Sequence, residues 1–247
     1  MTLLLPTAIG LIALLYASVG HAGATGYIAV MTLLGLPVAT IRPTALALNV
    51  IVATIATAQF ARAGHFRPAL FGPLAIASVP CAFLGGSITL STGLLEKTLA
   101  LVLLAAAVRM LVDVRRRPTD AEFSAAPAPT VRPGILAAVG GGIGFLSGLT
   151  GVGGGVFLTP ALLALAAAPV KAVAAVTAPF ILVNSLAGLA AGLPAGRGLP
   201  AAGLPVIAAA VVGGALGAQL GAFRLPARTL RLLMAGVLLL AAAKLLM

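Results

Sequence analysis

Two glycine-rich segments hold the residues whose types and spacing could do chemistry. The first runs from Gly20 to Gly26 (Gly-His-Ala-Gly-Ala-Thr-Gly), and the second from Gly148 to Gly155 (Gly-Leu-Thr-Gly-Val-Gly-Gly-Gly). A short apolar run follows each, which we predict to be a short helix. The first N–H groups of a helix have no intrahelical partner and form the positive end of its dipole. Glycine before them lets a small ligand approach, so the pattern indicates anion binding by backbone groups.

The candidate binding residues come from these two segments and from two nearby apolar runs. They are His21, Gly23, Thr25, Gly26, Asn49, Thr150, Gly151, Gly153, Gly154, Gly155 and Asn184. An ionisable residue among apolar ones is a candidate functional group, so we expect His21 to be a substrate ligand or a protonation switch. A neutral packing role stays open for it. The two asparagines could bond a ligand oxygen or join helices.

Close helix packing is the alternative role for the glycines. We predict that role for the later cluster at Gly213, Gly214, Gly217 and Gly221, where small residues recur at helical spacing. Arg42 and Lys171 follow the two short apolar runs. They could attract anions to the entrances of a site, or anchor the chain at the membrane surface.

The patterns of common enzymes and cofactor sites are missing from the sequence. Its Asp and Glu residues number four, and none lies deep in an apolar segment, so no paired-carboxylate site is expected. His21 and His65 have no partners at metal-ligand spacing. The Gly151–Gly155 run lacks the Lys-Ser/Thr of a phosphate loop. We therefore expect no catalytic residue, metal or cofactor.

Composition identifies an integral membrane protein. The 247 residues are 61% hydrophobic and 8% charged, with a mean hydropathy of +1.20, whereas soluble domains are about 45–50% apolar and about 25% charged. The net charge of +11 sits at the ends of apolar runs, which indicates contact with lipid headgroups rather than nucleic acid. We expect a multi-pass protein of the inner (plasma) membrane. No Lys or Arg precedes Leu3, so no cleaved signal peptide is expected.

Ten apolar segments predict an all-α polytopic fold with about 8–10 membrane helical segments. They are residues 3–19, 27–38, 44–61, 69–90, 98–112, 134–149, 156–168, 171–191, 201–222 and 229–246. A spanning helix needs about 20 residues, with a lower limit near 17. Segments 27–38 and 156–168 are too short, so we predict half-helices after the glycine breaks. Whether they cross the membrane fully or fold back stays open.

The chain is internally duplicated. Gly26 recurs as Gly155, and Lys97-Thr98-Leu99 as Arg228-Thr229-Leu230, each about 130 residues apart. This predicts a first transmembrane repeat at 1–112, a polar cytoplasmic linker at 113–133 and a second repeat at 134–247. If Arg115–Arg117 is cytoplasmic, an odd number of crossings per repeat places most basic residues inside. We therefore expect two inverted repeats with both termini outside.

These residues resemble a known family. Gly148–Gly155, then Pro160-Ala161-Leu162-Leu163, Lys171-Ala172-Val173 and Asn184-Ser185, are similar to the TauE/SafE family of membrane transporters. The resemblance covers nearly the whole chain and implies a permease or exporter of a small anion such as sulfite or sulfoacetate. The first glycine segment departs from the family pattern, with Ala and Thr where more Gly is usual.

We therefore expect a secondary transporter that works by alternating access, with the lipid bilayer and a small anion as its partners. The alternatives are an anion channel on the same site, or a membrane-embedded enzyme or scaffold. The exact substrate, the direction of transport, the coupling ion and assembly into a homo-oligomer stay open.

Overall fold

The computed structural model describes residues 3–88, 131–192 and 202–246, together with isolated helical positions between 100 and 115. Within that part of the chain the secondary structure is helical, with no strand. The predicted linker 113–133 and the apolar segment 98–112 lie mostly outside the described residues, so their boundaries stay predictions.

Nine α-helices are described, and we number them in chain order. They are α1 Leu4–Ser18, α2 Ala24–Leu33, α3 Val38–Arg62, α4 Pro68–Ser87, α5 Pro133–Thr150, α6 Gly155–Ala164, α7 Val170–Gly192, α8 Leu204–Gln219 and α9 Ala227–Leu246. A π-helical turn, Leu220–Arg224, continues α8. Proline stands in the first turn of α4, α5 and α8, where its missing N–H costs nothing.

Five of the described helices are long and apolar enough to cross a membrane: α3, α4, α5, α7 and α8 with its π-helical turn. By contrast, α2 and α6 have 10 residues each and begin directly after the glycine segments. The prediction of a polytopic all-α fold with two short helices is thus confirmed.

The short helices fold back along the helices before them. A Cβ on Gly26 in α2 would lie 2.7 Å from Ile12 Cγ2 in α1, and the Thr25 hydroxyl donates to the Tyr16 hydroxyl at 2.8 Å. Likewise, Gly154 lies against Ser147 of α5. We call α1 with α2 hairpin 1, α5 with α6 hairpin 2, residues 19–23 tip 1, and residues 151–154 tip 2.

Glycine is required immediately before each short helix. Gly23 has a φ of 109° and Gly154 a φ of 81°, angles that other residues rarely adopt. These angles let the chain reverse within four or five residues. Each hairpin therefore has its two outer ends on the same side, an arrangement that fits both a re-entrant element and two full crossings.

Each hairpin packs against a helix from the other half of the chain. The glycines of α5 that touch α4 are Gly140, Gly144 and Gly148, which lie against Leu74, Ser78 and Ala82. The glycines of α8 that touch α1 are Gly213, Gly217 and Gly221, which lie against Gly10, Leu14 and Ser18. A Cβ at any of these glycines would overlap backbone of the facing helix. The packing role predicted for the α8 glycines is confirmed, including Gly214 against Val52.

The order of these contacts gives the helix directions. Contact positions rise together along α4 and α5, and along α1 and α8, so each pair runs parallel. The pair α4 and α7 is also parallel, since Ser78 meets Asn184 and Gly86 meets Ala191. In contrast, α3 and α7 run antiparallel, since Leu46 meets Gly188 and Asn49 meets Ser185.

Candidate functional site

The two hairpin tips meet at a small buried cavity. Hairpin 1 contributes Tyr16, His21, Ala22, Gly23, Ala24 and Thr25; hairpin 2 contributes Val152, Gly155 and Val156; and α7 contributes Ile181. The cavity volume is about 10 Å³, close to the least space that one water molecule needs. In this conformation the cavity therefore has no room for a ligand larger than one water molecule.

Both short helices begin at this cavity, and neither has a side-chain cap at its first turn. The N–H of Tyr27 donates to Gly23 O, and the N–H groups of Phe157 and Leu158 donate to Gly154 O. The N–H groups before these positions have no intrahelical partner. Two positive helix ends therefore converge on one cavity, which favours an anion over a cation.

Four of the predicted site residues line the cavity: His21, Gly23, Thr25 and Gly155. Gly153 and Gly154 lie one layer behind it. A Cβ on Gly153 would lie 2.6 Å from Asn49 Nδ2, and one on Gly154 would lie 3.0 Å from Phe180. Gly26 faces Ile12, which places it in the packing between α1 and α2.

The remaining predicted residues lie outside the cavity lining. The Thr150 hydroxyl donates to Leu146 O at 2.8 Å, within its own helix. Gly151 lies beside the Arg42 side chain. The Asn184 amide nitrogen donates to Phe180 O at 2.8 Å, and its oxygen accepts from the Ser78 hydroxyl at 2.6 Å. Asn184 thus joins α7 to α4, which favours the helix-joining role.

Asn49 supports tip 2 through weak contacts. Its Nδ2 lies 3.5 Å from Val152 O and 3.4 Å from Ser185 Oγ, both long for hydrogen bonds. The side chain is fully buried, and Oδ1 has no partner among the described residues. A movement of tip 2 would therefore give up little hydrogen bonding at this residue.

His21 is tied to hairpin 2 and α7 by hydroxyl groups. Its Nε2 lies 2.7 Å from Thr159 Oγ1, which lies 3.3 Å from Thr177 Oγ1. His21 is 1% exposed and both threonines are 0% exposed. No described group bonds His21 Nδ1. Sequence reasoning missed Thr159, although it is the only side-chain hydrogen-bonding residue in α6.

Both tyrosines of the chain lie at tip 1, another feature that sequence reasoning missed. Tyr27 is 0% exposed and Tyr16 is 2% exposed. The Tyr27 hydroxyl donates to Ala22 O, while the Tyr16 hydroxyl accepts from Thr25. Tyrosine often lies at the membrane interface, but here both rings hold the first glycine segment in place.

Basic side chains lie on opposite sides of the cavity rather than in it. Arg42, near the start of α3, donates through Nη2 to Gly148 O near the end of α5, where a cation is favoured by the helix dipole. His65, beyond the end of α3, lies near Lys171 and 3.3 Å from Ala222 O. Burial and the Lys171 charge lower the pKa of His65. One basic group thus stands towards each end of α3.

A larger cavity of about 730 Å³ lies on α4 and α7, away from the tips. Its lining is apolar and includes Val79, Phe83 and Leu186. All three of these side chains are exposed on the helix surface, as expected for a face that meets lipid. It offers an anion no hydrogen-bond donor.

Comparison with known proteins gives two matches that span the chain. The family model described as "Sulfite exporter TauE/SafE" matches residues 5–245. The "Probable membrane transporter protein y4hK" of Sinorhizobium fredii (strain NBRC 101917 / NGR234) is 38% identical over 235 residues, which cover 95% of this chain and 94% of that protein. No solved structure matches the chain.

Proposed function

The chain belongs to the sulfite exporter TauE/SafE family, and on that premise we propose that it carries a small sulfur-containing anion, such as sulfite or sulfoacetate. The family and the relative make it a multi-pass membrane transporter rather than an enzyme. The anion, the transport mechanism and the location in the inner (plasma) membrane are our proposal.

The observation that carries the proposal is the meeting of two helix N-termini at one cavity. No Lys, Arg, Asp or Glu is among the described lining residues, so partial charges on backbone N–H groups supply the attraction. Broken helices whose N-termini face an anionic group near the membrane centre are a recurring solution in transporters. Because the backbone of the two helix ends supplies the positive potential, the site needs no buried Lys or Arg, whose burial within the membrane would be costly.

Helix directions support two inverted repeats. Contacts between Val52 and Gly214, and between His65 and Ala222, indicate that α3 is parallel to α8, as α1 is. The other described helices with assigned directions, α4, α5 and α7, run the opposite way. Corresponding helices of the two halves, α1 with α5, α3 with α7 and α4 with α8, therefore have opposite directions.

The closed cavity supports alternating access. Each hairpin tip packs on the half of the chain to which it does not belong: Gly20 lies against Ala174 of α7, and Gly153 lies against Asn49 of α3. A rocking movement of one half against the other would open the cavity first to one side and then to the other. A cavity of about 10 Å³ does not admit an anion, whereas an anion channel requires a continuous open pore in its conducting state.

A thermal-shift screen of the purified protein tests the substrate class. The ligands are sulfite, sulfate, thiosulfate, sulfoacetate and a carboxylate of equal charge, each titrated at constant ionic strength. A bound ligand stabilises the protein by RT ln(1 + [L]/Kd), so sulfur oxyanions should raise Tm with saturation, and by more than the carboxylate at equal concentration. A Tm that responds to none of the sulfur anions would refute the proposal.

A further inference from the structure

We propose that Thr159 and Thr177 orient His21 so that its Nδ1–H donates into the cavity, and that the completed site selects oxyanions that carry no proton. The inference rests on the proposed function and explains how the site distinguishes one anion from another. Thr159 and Thr177 are positioning residues in this scheme, since they act through His21.

The hydrogen-bond chain has two possible directions. A neutral imidazole has one donor and one acceptor nitrogen, and a hydroxyl donates one proton. If Thr177 donates to Thr159, and Thr159 donates to His21 Nε2, the ring proton is on Nδ1. If the chain is reversed, His21 Nε2 donates to Thr159 and Nδ1 presents a lone pair. The distances of 2.7 Å and 3.3 Å admit both directions.

A bound anion favours one of the two directions of the hydrogen-bond chain. His21 lines the cavity, and Nδ1 is its ring nitrogen without a described partner. A lone pair there would face the negative charge, whereas an N–H would donate a charge-assisted hydrogen bond to it. Only the direction from Thr177 through Thr159 to His21 is therefore compatible with a bound anion. Without the Thr159 hydroxyl, nothing described holds the proton on Nδ1.

The other polar groups of the cavity also act as donors. Thr25 gives its proton to the Tyr16 oxygen, which leaves the Tyr16 hydroxyl proton to donate. Tyr27 donates to Ala22 O and so occupies a carbonyl of the lining. The two helix N-termini present N–H groups. The lining thus offers donors from His21, Tyr16 and the backbone, whereas Ala22 O and Gly23 O already accept hydrogen bonds.

A site made of donors distinguishes anions by their protonation. A sulfonate or sulfate at neutral pH has only acceptor oxygens, all of which can be satisfied. Hydrogen phosphate or bicarbonate carries a hydroxyl proton, which these donors cannot accept, and an unsatisfied buried polar group is costly. We expect unprotonated oxyanions to bind at least about tenfold more tightly than protonated ones of equal charge.

The test measures affinities of sulfate, sulfoacetate and phosphate for the full-length protein by calorimetric titration. Thr159→Val and Thr177→Val remove a hydroxyl with little change of shape. Each should weaken sulfate binding by about tenfold and bring the ratio of sulfate to phosphate affinity towards one. Thr159→Ser should restore the ratio. Thr54→Val is the matched control, because Thr54 is exposed and bonds only Val50 O of its own helix.

A spectroscopic measurement separates orientation from structural support. In protein labelled with ¹⁵N-histidine, saturating sulfate should place His21 in the Nδ1–H tautomer, and Thr159→Val should abolish that preference. An Nε2–H tautomer in the bound wild type, or an affinity ratio unchanged in both valine variants, would overturn the inference while leaving anion transport intact. Failure of the wild type to bind any of the sulfur oxyanions would overturn the proposed function as well.

Discussion

At the residue scale, the groups that attract anions differ from the groups that select among them. Arg42 and Lys171 stand towards opposite ends of α3, where they can concentrate anions at the two entrances. The cavity itself is lined by neutral groups, with His21 and Tyr16 as its polar side chains beside Thr25. Neutral donors bind an anion less tightly than a buried cation would, which suits a transporter because the substrate must also leave.

His65 makes the stability of the protein depend on pH. Burial first, and then the charge of Lys171, lower the pKa of His65 in the folded protein, relative to about 6.5 in an unfolded chain. The folded state therefore disfavours protonation of His65. The stability that depends on a neutral His65 is fully present above about pH 6.5, and it is lost as pH falls through the folded pKa.

We expect wild-type Tm to fall more steeply below about pH 6.5 than that of His65→Gln, by a few degrees at most because the group is only partly buried. Scanning calorimetry of both proteins in the same detergent between pH 7.5 and 5 measures the difference. Parallel Tm curves for the two proteins would contradict the assignment.

Some of the site was predictable from single residues, and some was not. Glycine with a required positive φ leaves a local signature, so Gly23 and Gly154 could be found from the sequence. Thr159 and Tyr16 could not, because their roles depend on contacts that packing creates. The hydrogen bond between Thr159 and His21 joins residues 138 positions apart in the sequence, and no local sequence pattern predicts it. Asn184 could not be decided from the sequence, since its depth in an apolar run fits a ligand and a helix-joining residue equally well.

At the element scale, the sequence predicted the two short helices but not the direction in which they run. Segment lengths showed that 27–38 and 156–168 were too short to span, and the structure begins those helices at Ala24 and Gly155. Length does not reveal direction, however. The reversal along α1 comes from the positive φ at Gly23 together with the fit of Gly26 against Ile12, which is tertiary information.

The glycines at the contacts between α5 and α4, and between α8 and α1, should not tolerate an added methyl group without a loss of stability. In Gly144→Ala, the new Cβ would overlap the backbone oxygen of Ser78 in α4, and backbone cannot move aside as a side chain can. We expect destabilisation by about 1–3 kcal/mol. Gly142→Ala is the control on the same helix, because its Cβ would meet nothing within 4 Å, and it should be neutral or slightly stabilising. Equal Tm values for the two variants would show that α4 and α5 are not closely packed in the membrane.

At the scale of the whole molecule, the two halves form one interlocked unit. Hairpin 1 packs on α8 and hairpin 2 packs on α4, while Asn49 of α3 contacts tip 2 and Ala174 of α7 contacts tip 1. The sequence predicts a duplication because glycine breaks and basic turns recur about 130 residues apart. Which helix of one repeat meets which helix of the other was not visible, since every candidate surface is apolar and rich in small residues.

Cysteine accessibility tests the inverted, re-entrant arrangement. In a Cys81→Ser background, Leu3→Cys and Leu33→Cys mark the two ends of hairpin 1, and Arg62→Cys and Arg224→Cys mark the ends of α3 and of the π-helical turn; all four positions are exposed. We expect the first pair to react with an impermeant maleimide from outside the cell, and the second pair only from inside. Labelling of Leu3→Cys and Leu33→Cys from opposite sides would contradict the hairpin, because its two outer ends must lie on the same side of the membrane.

Counterflow in proteoliposomes tests the central claim, that a sulfur anion crosses through the cavity between the tips. Vesicles loaded with unlabelled sulfite should accumulate labelled sulfite from outside faster than empty vesicles. Gly155→Val, whose side chain would enter the cavity lining beside Ile181, should abolish this exchange, and Gly142→Ala should retain it at equal protein levels. Unchanged exchange in Gly155→Val would place the pathway elsewhere, and uptake that internal sulfite does not accelerate would contradict alternating access.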